Sequence, residues 1–288
     1  MNIVEKDLKK YSTIRTKSYT KFFCTVNNVS DLENAFKYKT NNNLNYVVLG
    51  NGSNILFSKE RYEDILFIKL SGDFDFFEIN DSFANIGAAY SLKLAGKELI
   101  KNGYQNYIFF NLIPACIGGA IAQNAGTGPS EEMRDVCISV KVFDIKNKNI
   151  LELNNESFAF EYRNSIVKKI PNRYVILSAK FDLTNRTSEI ENLLKDMKTR
   201  IHDKLNREPS GYTFGSTFMN SEKPAWETVK TIKGRLKSNI NAFYSDKHNN
   251  WIINKSADGK EVASLIRQTQ NLAKRELNII LEKEVTII

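Results

Sequence analysis

The stretch YVVLGNGSNILF, residues 46–57, joins two apolar runs through two glycines and three small polar residues. One glycine is enough for the positive φ of an ordinary turn between strands. A second glycine two residues later, followed by Ser53 and Asn54, favours backbone N–H groups turned toward an anion such as a pyrophosphate. Spacing alone favours a plain turn, because the third glycine of the dinucleotide-binding fingerprint is absent and more apolar strand follows.

A second segment rich in small residues, IPACIGGAIAQNAGTGP, occupies residues 113–129 and carries four glycines. Such a segment lets the main chain approach a flat ligand closely. Gln123 and Asn124 add amide groups that suit the polar edges of a ring. A tight crossover between domains explains the same pattern, and for this segment alone both interpretations stay open.

Length, charge and cysteine content limit the class of protein. The 288 residues suffice for two modest domains, and 41 Lys and Arg against 33 Asp and Glu give a formal charge of +8. Because the basic residues are dispersed, we expect a solvated surface, with a basic pocket for an anionic small molecule as the alternative, and no nucleic-acid partner. The three widely spaced residues Cys24, Cys116 and Cys137 predict neither a disulfide framework nor a metal site.

The apolar segments are too short or too interrupted to predict membrane association. The start, MNIVEKDLKKY, has no apolar run of the kind found in signal peptides. The longest apolar stretch, YIFFNLIPACIGGAIA, is broken by Asn111, Pro114 and a glycine pair. We therefore expect a soluble cytoplasmic protein without a membrane partner.

Alternating helix and strand patterns predict an α+β fold. A capping box at Ser30 and Glu33 predicts a short helix, and SLKLAGKELIKNG predicts a helix stopped by Gly103. The alternation in VCISVKVFD predicts a strand, and IKNKN after it predicts a hairpin turn.

The pattern changes near residue 185, where apolar residues at helical spacing follow a second capping box. A further helix capped by Asp258 and Glu261 and a final strand, IILEKEVTII, complete the chain. We therefore predict a first domain at residues 1–185 and a second at residues 186–288.

Three short segments in the second half of the chain carry polar groups suited to catalysis. If FEYRNS is extended, Arg163 and Ser165 share one face, where Arg163 could bind a carboxylate, although a surface ion pair is the favoured alternative. GYTFGSTFMN places Ser216 in a glycine turn, where its hydroxyl is a proton donor or only a turn former. LEKEV sets Glu282 and Glu284 on one strand face, which is usually exposed to solvent. Two separated histidines indicate no metal site and no catalytic triad.

Taken in order, LGNGSN, IPACIGGAIAQNAG, EYRNS, GSTFMN, KHNNWIIN and LEKEV resemble the UDP-N-acetylmuramate dehydrogenase family, also called UDP-N-acetylenolpyruvoylglucosamine reductases or MurB. The resemblance runs from YSTIRTKSY to the last strand, and the short C-terminal part is similar to the compact subtype of the family. It implies an FAD-binding domain of the vanillyl-alcohol-oxidase (PCMH) type, followed by a smaller α+β substrate-binding domain.

The resemblance also implies which residues bind the cofactor. In the family, the first glycine loop holds the FAD pyrophosphate and the second segment lies along the isoalloxazine. The residues implied are Leu49, Gly50, Asn51, Gly52, Ser53, Asn54, Pro114, Gly118, Gly119, Gln123, Asn124, Ala125 and Gly126. Because neither segment contains a histidine, we expect non-covalent FAD.

The reaction implied is reduction, by NADPH through FAD, of the enolpyruvyl ether of UDP-N-acetylglucosamine to UDP-N-acetylmuramate, for peptidoglycan synthesis. By resemblance, Arg163 with Glu284 stabilises the negative charge that develops, and Ser216 donates the proton. Asn220 and Lys247 are implied to bind the substrate. We expect no metal and no obligate protein partner.

The sequence departs from the family at several positions. Lys17 and Ser18 replace two glycines, Met219 replaces a lysine, NIN at residues 239–241 replaces a glycine pair, and PAC replaces the commoner Pro-Gly-Thr/Ser. Two alternatives are a paralogue that reduces another enolpyruvyl or enoyl sugar nucleotide, and an FAD-binding module without catalysis. Retention of the three catalytic residue types argues against the second.

Overall fold

The computed structural model describes residues 1–236 and 241–288, and these divide into two compact units. Unit 1 comprises Met1–Ile3, Phe23–Gly50 and Leu66–His202, and unit 2 comprises Val4–Phe22, Asn51–Ile65 and Asp203–Ile288. The boundary therefore passes through the first glycine loop. The domain boundary predicted near residue 185 stays a prediction.

The strands of the described residues are β1 (Val4–Asp7), β2 (Tyr19–Val26), β3 (Asn45–Leu49), β4 (Ile55–Leu56), β5 (Arg61–Leu70), β6 (Phe77–Ile79), β7 (Phe83–Gly87), β8 (Gly126–Gly128), β9 (Glu131–Glu132), β10 (Cys137–Asp144), β11 (Asn149–Asn154), β12 (Tyr174–Asp182), β13 (Ala242–Tyr244), β14 (Ile252–Asn254) and β15 (Thr286–Ile287). One sheet has the order β1-β2-β5-β3, and a second has the order β11-β10-β12-β7-β6. Shorter pairs are β13-β14, β15-β4 and β8-β9.

The α-helices are α1 (Val29–Asn41), α2 (Leu92–Lys101), α3 (Ile117–Ala122), α4 (Met133–Val136), α5 (Ile166–Lys169), α6 (Ile190–Arg207), α7 (Ala225–Ile232) and α8 (Gly259–Leu277). Short 3₁₀ helices span Lys9–Tyr11, Gly72–Phe74, Gln105–Leu112 and Lys233–Arg235. Among the described residues, no helix combines the length and apolar character needed to cross a bilayer.

The antiparallel five-stranded sheet is the frame of unit 1. Its central strand β12, YVILSAKFD, is buried along most of its length, whereas the edge strand β11, NILELN, is exposed or only half-buried. A nearly continuous apolar run suits a central strand, and a polar strand suits an edge that must not aggregate. Tyr107, Phe110 and Phe181 pack edge to face, which fixes the 3₁₀ segment that leads into the second glycine segment.

Unit 2 is built around an apolar cluster between α7, α8 and the short strands. In α8, Val262, Leu265, Ile266 and Leu272 are buried at helical spacing, with an N-cap at Asp258. This spacing directs one face of α8 into the core, so that its charged residues stay outside.

Most predicted elements are present, and two predictions were wrong. The hairpin of β10 and β11, the helix stopped at Gly103 and the Asp258 capping box are confirmed. The cap of α1 is Asn28, whose side chain accepts a hydrogen bond from Asp31, and Ser30 lies inside the helix. The final strand is only β15, and the preceding segment is joined to the Ser216 loop by one isolated bridge, between Phe218 and Lys283.

Candidate active site

In unit 1, the end of β3 lies against the second glycine segment. Leu49 is buried, and a Cβ added to Gly50 would lie 2.9 Å from Sγ of Cys116 and 3.9 Å from Cα of Gly119. The carbonyl of Gly50 accepts a hydrogen bond of 2.8 Å from Nζ of Lys69. The structure therefore brings together glycine segments that lie far apart in the sequence.

The second glycine segment is fixed by backbone hydrogen bonds and leaves part of its surface open. The N–H of Gly118 donates to the carbonyl of Ala88 at 2.9 Å, and the N–H of Ala125 closes the carboxyl end of α3. Pro114 and Gly119 are exposed. A rigid backbone without side chains at its surface is what close approach of a flat ring requires.

Gln123 offers a donor that the protein leaves unsatisfied. Its Oε1 accepts a hydrogen bond of 2.9 Å from Nζ of Lys168. Its Nε2 is buried and has no hydrogen-bond partner among residues 1–236 and 241–288. A buried orphan donor is costly unless a ligand satisfies it, and the flavin ring presents carbonyl and nitrogen acceptors. The residues present here therefore fit FAD.

Asn124 is fully buried, and its amide is engaged by the protein. Nδ2 donates to Oε2 of Glu132 at 3.0 Å and to the carbonyl of Glu161 at 2.9 Å. Oδ1 accepts from the backbone N–H of Arg134 at 3.0 Å. The structure thus gives this side chain a role in supporting the loop, and its predicted contact with the cofactor stays a prediction.

Arg163 lies in a tight turn, so the extended arrangement in which Arg163 and Ser165 would share one face does not occur. Its φ is +54°, because residues 161 and 164 form a bridge that reverses the chain. Its guanidinium donates to Oε1 of Glu132 at 3.1 Å and to the carbonyls of Asn124 and Gly126 at 3.3 and 3.0 Å. It also lies 4.9 Å from the ring centroid of Tyr162. Sequence reasoning identified Arg163 but missed Glu132.

In unit 2, Gly52 takes the positive φ expected of the first glycine loop. Its φ is +67°, and an added Cβ would lie 1.9 Å from the carbonyl oxygen of Tyr11. The carbonyl of Gly52 accepts a hydrogen bond of 3.0 Å from the N–H of Thr13. Asn51 is exposed and Ser53 is half-buried. Packing within unit 2 thus dictates glycine at position 52.

A hydrogen-bond network in unit 2 joins this loop to Glu284 and to the Ser216 loop. Nδ2 of Asn54 donates to the carbonyl of Glu284 at 3.0 Å. The N–H of Glu284 donates in turn to the carbonyl of Thr217 at 2.9 Å. Three segments that are distant in sequence therefore meet, and two predicted catalytic residues lie on neighbouring backbone.

The Ser216 loop is held on its other side by Asn250. The N–H of Thr217 donates to the carbonyl of Asn250 at 2.8 Å. The Asn250 amide pairs with Phe218, accepting from its N–H at 3.0 Å and donating to its carbonyl at 2.8 Å. Ser216 forms an isolated bridge with Trp251 and is half-buried. Asn250 was missed, because an amide in a polar loop gives no signal of its own in the sequence.

The two predicted substrate-binding residues already have partners in unit 2. Oδ1 of Asn220 accepts a hydrogen bond of 3.0 Å from the N–H of Ala225, at the start of α7. Nζ of Lys247 donates to the carbonyl of Leu205 at 2.8 Å. Burial lowers the pKa of His248, which favours its neutral form.

The predicted catalytic residues belong to different units. Arg163 belongs to unit 1, whereas Ser216 and Glu284 belong to unit 2. Residues 239–241 replace a glycine pair of the family, and two of them, Asn239 and Ile240, lie outside the residues that the structure describes. Within the part of the chain that the structure describes, no three His, Cys, Asp or Glu side chains could hold a metal ion.

Comparison with known proteins gives two family matches and full-length relatives. A family described as an FAD binding domain matches residues 20–154, and one described as the C-terminal domain of UDP-N-acetylenolpyruvoylglucosamine reductase matches residues 208–288. The reductase of that name from Clostridioides difficile is 30% identical over 99% of this chain and 92% of its own length. The Francisella tularensis reductase is 30% identical over 98% of both chains.

A solved structure agrees with these matches. The crystal structure of UDP-N-acetylenolpyruvylglucosamine reductase (MurB) from Thermus caldophilus aligns with a TM-score of 0.82 and 27% identity, over 100% of this chain and 99% of the other. The predicted α+β fold, an FAD-binding PCMH-type domain followed by a C-terminal domain, is confirmed.

Proposed function

Because the chain belongs to the UDP-N-acetylenolpyruvoylglucosamine reductase family, we propose that it binds the enolpyruvyl ether of UDP-N-acetylglucosamine and reduces it to UDP-N-acetylmuramate. The predicted family and enzyme class, an FAD-dependent oxidoreductase, are confirmed by the relatives and by the FAD-binding domain. NADPH is the reductant of the family. The product would serve peptidoglycan synthesis, and we assign the enzyme to the cytoplasm.

The observation that supports this assignment most is the unit 2 network. It runs from the Asn54 amide to Glu284 and from Glu284 to the Ser216 loop. A loop assigned to the cofactor is thereby tied to the two residues of unit 2 that are assigned to the reaction.

The residues that would hold FAD are those of the two glycine segments. Asn51, Gly52, Ser53 and Asn54 would bind the pyrophosphate, and Gly118, Gly119 and the free donor of Gln123 would contact the ring system. When bound, FAD would supply the hydride transfer from NADPH to the methylene carbon of the enol ether. We assign Asn220 and Lys247 to the substrate, and residues 1–185 and 186–288 to the cofactor and substrate domains.

The roles of the catalytic side chains follow from the charge that the reaction creates. Addition of hydride to the methylene carbon builds negative charge on the adjacent carbon, C2, and on the carboxylate. The Arg163 guanidinium, with Glu284, stabilises this charge more than it stabilises the ground state. The Ser216 hydroxyl then donates its proton to C2.

We expect the purified protein to be yellow and to release its FAD on acid denaturation. The reason is that neither glycine segment contains a histidine to which the flavin could be attached. The measurement is the flavin absorbance of the supernatant after the denatured chain is removed. Flavin that stays with the precipitated chain would show a covalent link elsewhere.

We expect Arg163→Lys to slow oxidation of the reduced flavin by the enol ether about tenfold to a hundredfold. Lysine keeps the charge but loses the planar fork that contacts Glu132 and the carbonyls of Asn124 and Gly126. Flavin reduction by NADPH stays close to the wild-type rate. Stopped-flow absorbance separates the two steps, with Arg200→Lys, which removes the fork that binds Glu131, as the control. An equal decrease in both half-reactions would make Arg163 structural.

A further inference from the structure

We infer that Glu132 is a positioning residue, which fixes the guanidinium of Arg163 in the orientation that stabilises the developing negative charge. The inference rests on the proposed function, and it concerns contacts within unit 1 alone. Glu132 has a residue exposure of 6%, and the side chain of Arg163 has an exposure of 15%. A carboxylate this buried is retained only where it is paired.

Both carboxylate oxygens of Glu132 have polar partners in the protein. Oε1 accepts from the guanidinium of Arg163 at 3.1 Å. Oε2 accepts from Nδ2 of Asn124 at 3.0 Å and lies 3.1 Å from Nε of Arg134. One carboxylate thus joins the proposed catalytic cation to a second arginine and to a buried amide.

Two backbone carbonyls complete the orientation of Arg163. Asn124 and Gly126 accept from different guanidinium nitrogens, Nη1 and Nη2. Gly126 on β8 pairs with Glu132 on β9. The Glu132 carboxylate and the Gly126 carbonyl therefore belong to the same two-stranded sheet. Contacts to both Nη atoms fix the plane of the guanidinium, which a single ion pair would not do.

The charges in this cluster separate a positioning role of Glu132 from a simple charge effect. Arg163 and Arg134 are balanced by Glu132 and by Asp135, whose Oδ1 lies 3.8 Å from Nε of Arg134, so the four groups carry no net charge. Glu132 therefore does not assist the reaction by adding positive charge, and its contribution is the orientation of the Arg163 guanidinium. If charge alone mattered, removing the carboxylate would assist the reaction, whereas positioning predicts that it slows the reaction.

The adjacent Glu131 provides a matched control. Its carboxylate binds the guanidinium of Arg200 through two contacts of 2.6 Å, and its side chain is 31% exposed. The arginine hydrogen bonds lower the pKa of Glu131, which keeps it ionised. Glu131 and Glu132 are both glutamates on strand β9 of unit 1, but of the two only Glu132 contacts Arg163.

The test is Glu132→Gln in the FAD-loaded enzyme, with Glu131→Gln as the control. We expect oxidation of the reduced flavin by the enol ether to slow about tenfold or more, with flavin reduction by NADPH within about twofold of wild type. Glu131→Gln stays within about twofold in both steps. Introduced into Arg163→Lys, Glu132→Gln adds less than its effect alone, because both changes act on the same contact.

A binding readout separates positioning from loss of structure. We expect Glu132→Gln to retain its FAD and to bind the enol ether to the oxidised enzyme within about threefold of wild type, so that the loss falls on kcat rather than KM. If this variant does not fold, Glu132→Asp, which keeps the charge but shortens the reach, is expected to show the same loss in the second step.

Three results would overturn the inference: wild-type or faster reoxidation in Glu132→Gln, equal losses in both half-reactions, or full additivity with Arg163→Lys. If instead the wild-type enzyme is not reoxidised by the enol ether at all, the proposed function fails and not the role of Glu132.

Discussion

Ser216→Ala is expected to slow oxidation of the reduced flavin by the enol ether at least about a hundredfold, because general acids typically contribute about 10² to 10⁴ in rate. FAD binding and flavin reduction by NADPH should stay near wild type. The Thr217 backbone, held by Asn250 and Glu284, fixes the loop without the Ser216 hydroxyl. Stopped-flow traces read separately for the two half-reactions provide the measurement.

Two further variants separate proton donation from loop shape. Ser216→Cys supplies a more acidic, bulkier donor and should recover part of the lost rate. Ser221→Ala, at an exposed position after the same loop, should leave both half-reactions unchanged. Near-normal reoxidation in Ser216→Ala would remove Ser216 from the mechanism and leave solvent or Glu284 as the proton source.

Gly52→Ala is expected to lower the free energy of unfolding by at least about 2 kcal/mol and to cost FAD binding with it. The new Cβ would lie 1.9 Å from the carbonyl oxygen of Tyr11, at a backbone φ of +67°. The backbone must therefore shift, and the loop assigned to the pyrophosphate shifts with it. Urea unfolding and FAD titration of the same preparations measure both effects.

Gly234→Ala is the matched control, because no atom lies within 4 Å of its added Cβ and it also belongs to unit 2. We expect its stability to stay within about 0.5 kcal/mol of wild type. A Gly52→Ala protein as stable as this control would show that the close packing against Tyr11 does not restrict the loop.

Local signals in the sequence predicted local structure well. The positive φ at Gly52 follows from a glycine pair between strands, and the hairpin of β10 and β11 follows from alternation and turn residues. The Asp258 cap follows from its spacing to Glu261. Each of these signals spans only a few residues, so one sequence suffices to find it.

Contacts between distant segments could not be predicted in this way. Glu131 and Glu132 are identical neighbours in a charged run, yet Glu131 binds Arg200 and Glu132 binds Arg163. Their different environments arise from the pairing of β8 with β9 and from a loop that returns more than thirty residues later. The catalytic role of Arg163 was assigned only through its family motif, and the turn that orients it gives no periodic signal.

The most direct test of the account is to mix the purified protein with NADPH and the enolpyruvyl ether of UDP-N-acetylglucosamine and to follow the nicotinamide absorbance. We predict continuous NADPH consumption that depends on the enol ether and matches the UDP-N-acetylmuramate formed. A flavin that is reduced by NADPH but not reoxidised by this ether would contradict the proposed substrate and favour a related sugar nucleotide.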